Sequence, residues 1–383
     1  MYRSALLPAA ASAAILAANP SFAVEETFET ESGSIRVTTL ADGLENPWAI
    51  AFLPEGGMLV TERPGALRFV SAEGEVSGPI GGVPAVDAQG QGGLLDVTLD
   101  PDFAGNRLIY LSFAEAGDGG NGTAVARGAL NADMTALENV EVIFRQAPKV
   151  ASRAHFGSRL VFDGEGHLYV TMGERSNAQF RTQAQDLDSH LGKIVRINPD
   201  GSVPDDNPFI GQDGARPEIY AYGVRNVQAA AIHPQSGELW EIEHGPRGGD
   251  ELNIIRPGAN YGWPLVTLGI EYSGGTIGEG LKTAEGMVDA IYSWTPVIAP
   301  SGMIFYDGDA FPGWQGNLFV GGLASTALVR LQLDGERVTH EERLLEELGL
   351  RIRDVAQGPD GAIYVATDES NGEILKIEPA ATE

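Results

Sequence analysis

Cysteine is absent from the 383 residues, histidine occurs only six times, and basic side chains are scarce. The 25 Lys and Arg face 53 Asp and Glu, a formal net charge of −28. Without cysteine there is no disulfide framework, no thiolate metal site and no cysteine nucleophile. That lack says nothing about compartment, because a chain of this length can bury a core that holds without staples. The acid excess repels phosphate backbones and anionic lipid surfaces, which sets aside nucleic acid and membrane surfaces as partners and leaves small neutral or cationic ligands. Beyond residue 23 no apolar run is long enough to span a bilayer. Segments of helical period are nearly missing as well, yet the 43% hydrophobic content is that of an ordinary globular protein rather than a disordered one.

Glycine, by contrast, is abundant: 50 residues, nearly double usual usage, which implies many tight turns. Residues 1–23, MYRSALLPAAASAAILAANPSFA, run from a short basic start through an apolar Ala/Leu/Ile stretch to small residues, the pattern of a secretory signal peptide. Cleavage is expected near Ala23, giving an exported, periplasmic protein. Residues 24–33 follow as an acidic linker.

From there the chain repeats a phrase six times: an apolar strand, a turn with Pro, Asp or Gly, and a second apolar strand. WAIAFLPEGGMLVTE, SRLVFDGEGHLYVTMGE and IRDVAQGPDGAIYVATDE are three of them. The turn anchors Pro54, Pro101, Asp163, Pro234, Asp307 and Pro359 stand 47, 62, 71, 73 and 52 residues apart. Short alternating strands between Gly-rich turns indicate an all-β chain. Six units of this size, each holding about four strands, fit a six-bladed β-propeller with its active site on the top face. A sandwich or two stacked barrels is the rival arrangement. No linker interrupts the series, so 34–378 reads as one domain, with 379–383 as a tail. Ser34–Leu40 is expected to supply a strand to the last blade and close the ring. The long inserts 177–192 and 258–300 are expected on one face, around the central channel.

The polar clusters carry the chemistry. His155 ends a loop before an apolar strand, where an imidazole titrating near neutrality suits a general base, and Glu174, at the end of the partner strand, could orient it. A solvent-facing histidine and a turn carboxylate are the plainer readings. The run EHGPRGGDELN (243–253) could turn carbonyl oxygens toward a hard cation, and oxygen ligation favours Ca²⁺; a well-capped loop is equally compatible. His244 lacks a second His at ligand spacing, which argues against zinc. Arg351 and Arg353 point to one side of a strand and, with Arg225, would form a positive pocket for a ligand bearing several carboxylates, unless they serve ordinary ion pairs. Gln91 adds an amide on a Gly-rich loop. Aromatics at Tyr261, Trp263, Tyr272, Tyr292 and Trp294 could stack on a sugar or planar cofactor, or form a satellite core.

Taken in order, QGQGGLLDVTLDPDF, HFGSRLVFDGEGHLYV, YGVRNVQ, EHGPRGGDELN, NYGWP, IEYSG, APSGMIFY and RIRDVAQGPDGAIYVATDE resemble the soluble PQQ-dependent aldose sugar dehydrogenases, relatives of soluble quinoprotein glucose dehydrogenase. The resemblance runs from about residue 40 to 378. It implies a propeller carrying pyrroloquinoline quinone (PQQ) and Ca²⁺ on its top face. The activity implied is oxidation of aldoses at C1 to lactones, with electrons passed to a quinone or other non-oxygen acceptor. By the same resemblance His155 is the base and Glu174 its partner, while Gln91, Arg225, Asn226, Tyr272, Arg351 and Arg353 bind PQQ. Carbonyls of Gly245 and Pro246 would hold Ca²⁺, and Glu251 and Tyr261 would belong to a second, structural Ca²⁺ site. Trp294 is a candidate sugar platform. One departure stands out: many relatives carry a Lys that contacts PQQ where this chain has Ala324 in GGLASTALV. A monomer or homodimer is expected. A Ca²⁺-dependent lactonase-type hydrolase and a carbohydrate-binding propeller are the competing readings.

Overall fold

The computed structural model describes residues 23–381, so residues 1–22 of the expected export signal lie outside the described residues. Six antiparallel sheets follow one another around a ring. Blade 1 comprises Pro47–Phe52, Met58–Glu62 and Ala66–Val70; blade 2 comprises Leu94–Leu99, Leu108–Gly117, Gly120–Leu130 and Leu137–Arg145. Blade 3 is built from Leu160–Phe162, Leu168–Thr171, Lys193–Ile197 and Ile219–Tyr222, and blade 4 from Val227–Ile232, Leu239–Glu243, Asp250–Ile255 and Tyr292–Trp294. Blade 5 holds Pro300–Phe305, Leu318–Gly322, Leu328–Asp334 and Arg337–Leu344; blade 6 holds Ile352–Gln357, Ile363–Thr367 and Gly372–Pro379. The first strand of each blade contacts the first strand of the next, and that of blade 6 contacts that of blade 1. The expected six-bladed propeller is what the chain forms, and all six turn anchors fall between the first and second strands of their blades.

Why these runs make blades is visible in their burial. Five of the six second strands, Met58–Glu62, Leu239–Glu243 and Ile363–Thr367 among them, are buried at every position because a neighbouring blade covers each face; that of blade 2, Leu108–Gly117, is buried except toward its ends. Six hydrophobic clusters result, one between each pair of blades. The blade 1–2 cluster contains Trp48 and Phe113, and the blade 5–6 cluster contains Phe319 and Ile363. Apolar residues scattered through the repeats thus become six cores rather than one.

Ring closure follows the expected route, with an addition. Gly33–Leu44 pairs antiparallel with Gly372–Pro379, covering the free edge of blade 6. Residues 24–33, read above as a linker, contain instead a strand, Glu25–Thr30, that pairs with Gly33–Leu44 from Glu25↔Thr38 to Thr30↔Gly33. Its acidic surface misled the reading: an outermost strand leaves most of its side chains in water, and Phe28 reaches the blade 5–6 cluster. Blade 1 departs from four strands. After Val70 the chain makes isolated contacts at Val76, Ser77 and Ile80, and Pro79 and Pro84 lack the N–H groups that a continuing ladder needs.

The first strands all start on one face, here the top, and run down to the turn anchors. Residues just before a first strand, or between second and third strands, therefore gather at the top.

Candidate active site

His155 lies in the connection between blades 2 and 3, and Glu174 follows the second strand of blade 3. The fold brings them together: His155 Nδ1 is 2.6 Å from Glu174 Oε1, with both side chains buried. A carboxylate only accepts, so Nδ1 carries the proton and the neutral ring presents a lone pair at Nε2. Burial is the main influence on the ring and pushes its pKa below the ordinary histidine value; Arg225 and Arg175 push the same way, while the Glu174 hydrogen bond opposes them. A neutral imidazole oriented by a carboxylate is the arrangement of a general base.

The backbone around this pair is strained and tightly gripped. His155 has φ +53°, Ser158 +95° and Arg175 +71°, values that side-chain-bearing residues adopt at a cost of about 1–3 kcal/mol each. The His155 N–H donates to Gln91 Oε1 at 2.8 Å, and Asn226 Oδ1 accepts from Gly157 N–H at 3.0 Å. Gly173 must be glycine because a Cβ there would collide with the His155 carbonyl. Arg175 is fully buried. Its guanidinium donates to the carbonyls of Ala154, Asn121 and Ser152 at 2.9–3.0 Å and stacks 3.8 Å over Phe156. Adjacent residues thus hold one loop from two directions: Glu174 grips the imidazole and Arg175 the main chain that carries it.

Next to Gln91 opens a top-face cavity of about 350 Å³, lined by Trp48, Arg63, Gln91, Gln228, Arg351 and Arg353 among others. Arg351 and Arg353 do converge there, and both are clamped by Asp368. Arg351 Nη2 is 2.7 Å from Oδ2, and Arg353 Nη2 is 3.1 Å from Oδ1. Burial is the main influence on Asp368 and works to raise its pKa, but the two arginines outweigh it and hold the carboxyl below its ordinary value. Gln228 Oε1 accepts from Arg353 Nη1 at 3.0 Å and lies 3.3 Å from His244 Nε2, an imidazole kept neutral by burial and by nearby cations. Trp48, Arg63, Gln228 and Asp368 escaped the sequence reading. The one signal for Asp368 was its place at the end of a second strand, as for Glu174.

Arg225 stands on the other side. It donates to the carbonyls of His244 and Gly245 at 2.7 and 2.8 Å, lies 3.3 Å from the Tyr272 hydroxyl, and leaves its buried Nε without a partner. Tyr272 is 68% exposed, at the mouth of the site. Gly245, Pro246, Glu251 and Tyr261, assigned above to two cation sites, all line one small cavity of about 10 Å³, beside Glu243 and Arg225. That volume holds a single water-sized sphere. Glu243 and Glu251 face each other across paired strands. Burial raises both carboxyls, Glu251 to about 7, and nearby carboxylates add to the rise: Glu251 acts on Glu243, and Asp250 and Asp289 act on Glu251. Among the described residues no three Asp, Glu or His side chains gather as a ready metal cage, so a cation here needs main-chain carbonyls too.

The aromatics divide. Trp263 packs with Ala184 and Ile277 in a small core beneath the two inserts, and Arg225 lies over its ring. Trp294, the sugar-platform candidate, is instead buried in the blade 4–5 cluster, and its Nε1 donates to Glu341 at 2.8 Å. Its place in the fourth strand of blade 4 turns it away from the top-face cavity.

A larger cavity of about 510 Å³ occupies the bottom of the channel, walled by the aliphatic ends of the first strands. Arg159 separates the two. It is ion-paired to Asp96 at 2.9 Å and to Asp354 at 3.1 Å, and its ring neighbour is Trp48.

Comparison with known proteins accords with this arrangement. The family model for glucose/sorbosone dehydrogenase matches residues 44–376. The chain is 50% identical over 349 residues to the aldose sugar dehydrogenase YliI of Escherichia coli, covering 90% of this chain and 93% of that one. The crystal structure of soluble aldose sugar dehydrogenase from Escherichia coli in its apo form superposes with TM-score 0.87 at 50% identity, over 90% of this chain and 100% of the other. The PQQ-bound aldose sugar dehydrogenase of Streptomyces coelicolor gives TM-score 0.74 at 29% identity, over 94% and 100%. A six-bladed ring with its polar groups collected on the top face, matched along nearly its whole length, places the chain in the glucose/sorbosone dehydrogenase family.

Proposed function

We propose that this protein oxidises aldose sugars at C1 to lactones at its top-face cavity, using PQQ and Ca²⁺. One observation carries the reading: a buried, carboxylate-oriented imidazole stands across Gln91 from a cavity walled by guanidiniums, in a protein of net charge −28. The names of the Escherichia coli relative and of the PQQ-bound Streptomyces coelicolor structure support it.

The residues present suit both groups. Arg351, Arg353 and the unpartnered Nε of Arg225 offer charge-assisted hydrogen bonds to the carboxylates of PQQ. Gln91, Asn226 and Tyr272 stand beside them. The repelling pair Glu243 and Glu251, with the carbonyls of Gly245 and Pro246, is a hard-oxygen donor set of the kind Ca²⁺ takes. Tyr261 lines the same cavity, and its hydroxyl is already engaged by Ile254 O and Arg256 N–H, so only its main-chain oxygen would be free to serve a cation. Bound together, the quinone supplies a hydride acceptor for the sugar C1 and the cation a Lewis acid that polarises it.

The chain supplies the proton chemistry. His155 Nε2 takes the proton of the C1 hydroxyl, and Glu174 keeps Nδ1 protonated and offsets the positive charge the ring gains. Electrons then leave to a quinone-type acceptor, and residues 1–23 would deliver the protein to the periplasm. The test is to add PQQ and Ca²⁺ to the apo-protein and follow bleaching of an artificial electron acceptor with a panel of aldoses. Turnover that needs both additions is expected; no turnover with any aldose, or lactone hydrolysis without PQQ, overturns the reading.

A further inference from the structure

Within the top-face cavity the charges do not balance. Arg351 and Arg353 share the carboxylate of Asp368, but a third guanidinium, Arg63, has no carboxylate within ion-pair distance among the described residues. Its one side-chain hydrogen bond runs from Nη1 to the carbonyl of Gly90, the residue before Gln91. The carboxylate of its neighbour Glu62 is already taken by Arg68 Nε at 2.7 Å and by the Glu45 N–H. Among the described residues Nε and Nη2 of Arg63 make no hydrogen bond, and the side chain lines the cavity.

The main chain that carries this guanidinium is fixed. The Arg63 N–H donates to Asn46 O, its carbonyl accepts from Leu94 N–H, both at 3.0 Å, and Gly93 packs so closely on that carbonyl that a Cβ there would collide with it. A guanidinium on a cavity wall whose one protein acceptor is a carbonyl keeps donors to offer an anion, in a protein with twice as many acids as bases. The wall beside Arg351 offers no further cation: Leu323 lines it, and Ala324 is an exposed residue with no charge.

We propose that Arg63 is an anchoring residue for a polycarboxylate quinone in this cavity, binding a ligand carboxylate that the Arg351–Arg353–Asp368 cluster leaves unmatched. The proposal rests on the quinone reading above and extends it to a residue outside the Arg225/Arg351/Arg353 set. Arg63 thereby takes up the cationic contact that Ala324 cannot make.

The test is equilibrium binding of PQQ to apo-protein at fixed Ca²⁺, followed by quenching of tryptophan fluorescence, for wild type, R63Q, R63K and R337Q. Arg337 is 72% exposed on the outer strand of blade 5, so R337Q makes the same charge change far from the cavity. R63Q should weaken binding about 10- to 100-fold, the loss of one charge-assisted contact, and flatten its salt dependence. R63K should recover part of the affinity, and R337Q should stay within twofold of wild type. Melting curves show whether each variant is folded, and R63K, which keeps the charge, decides the matter should R63Q not fold. Binding by R63Q within twofold of wild type, or equal losses in R63Q and R337Q, overturns the role of Arg63 while the quinone reading stands. No binding of PQQ by wild type overturns both.

Discussion

A base that is buried, neutral and held by a carboxylate makes a pH prediction with a definite sign. Burial and the Arg225 charge lower the His155 pKa, so the imidazole stays unprotonated until the pH falls below its ordinary value near 6.5. The acid limb of kcat/KM should therefore have its midpoint below 6.5. Glu174→Gln removes the group that favours imidazolium and should move the limb to still lower pH while lowering kcat. A limb above 6.5, or one that rises in the variant, contradicts the assignment. Arg175 belongs to the same scale because its three main-chain acceptors fix the loop on which His155 sits. Arg175→Met should lower stability by about 2–4 kcal/mol, read from chemical denaturation, and lower kcat more than it raises KM. These neighbours show what a sequence conceals. His155 and Glu174 were legible as a pair because one precedes a strand and the other ends its antiparallel partner. Arg175, Arg63 and Asp368 were not, because their roles depend on which carbonyl or guanidinium faces them after folding.

Among the elements, the paired strands Leu239–Glu243 and Asp250–Ile255 put Glu243 opposite Glu251 beside a cavity that fits one small cation. Glu251→Gln removes a carboxylate from a repelling pair, so in the absence of metal its melting temperature at pH 8 should rise above wild type. The gain in melting temperature that wild type shows on adding Ca²⁺ should disappear. An equal Ca²⁺ response in both proteins would rule Glu251 out as a ligand. Gly245 and Pro246 are far from Tyr261 in sequence, and the turn at 244–249 brings them with Glu251 and Tyr261 to line one cavity, a proximity that no spacing in the sequence showed. Trp294 was misplaced for a related reason. Alternation along Tyr292–Trp294 is a blade-packing pattern, and an aromatic in a long insert gives no sign that three of its residues form a strand.

At the scale of the molecule, six turn anchors and a late strand from the N-terminal segment were readable because a propeller repeats one supersecondary unit and must close its own edge. The channel itself was not readable. Its plug, Arg159 between Asp96 and Asp354, draws on three blades, and burial lifts the Asp96 carboxyl to about 6 despite the arginine. Removing the cation leaves two buried carboxylates uncompensated, so Arg159→Met should cost about 3–5 kcal/mol, and Asp96→Asn in the same chain should return part of it. The same division of the channel confines the proposed chemistry to the top cavity, where base, arginines and carbonyl-lined cleft meet. The most direct test is an anaerobic visible absorption spectrum of the protein loaded with PQQ and Ca²⁺, recorded before and after adding an aldose. Wild type should show the cofactor reduced at once, while His155→Gln should bind it equally and reduce it at least about 100-fold more slowly. A bound cofactor that no aldose reduces, or a His155→Gln protein that reduces it at the wild-type rate, would contradict the account.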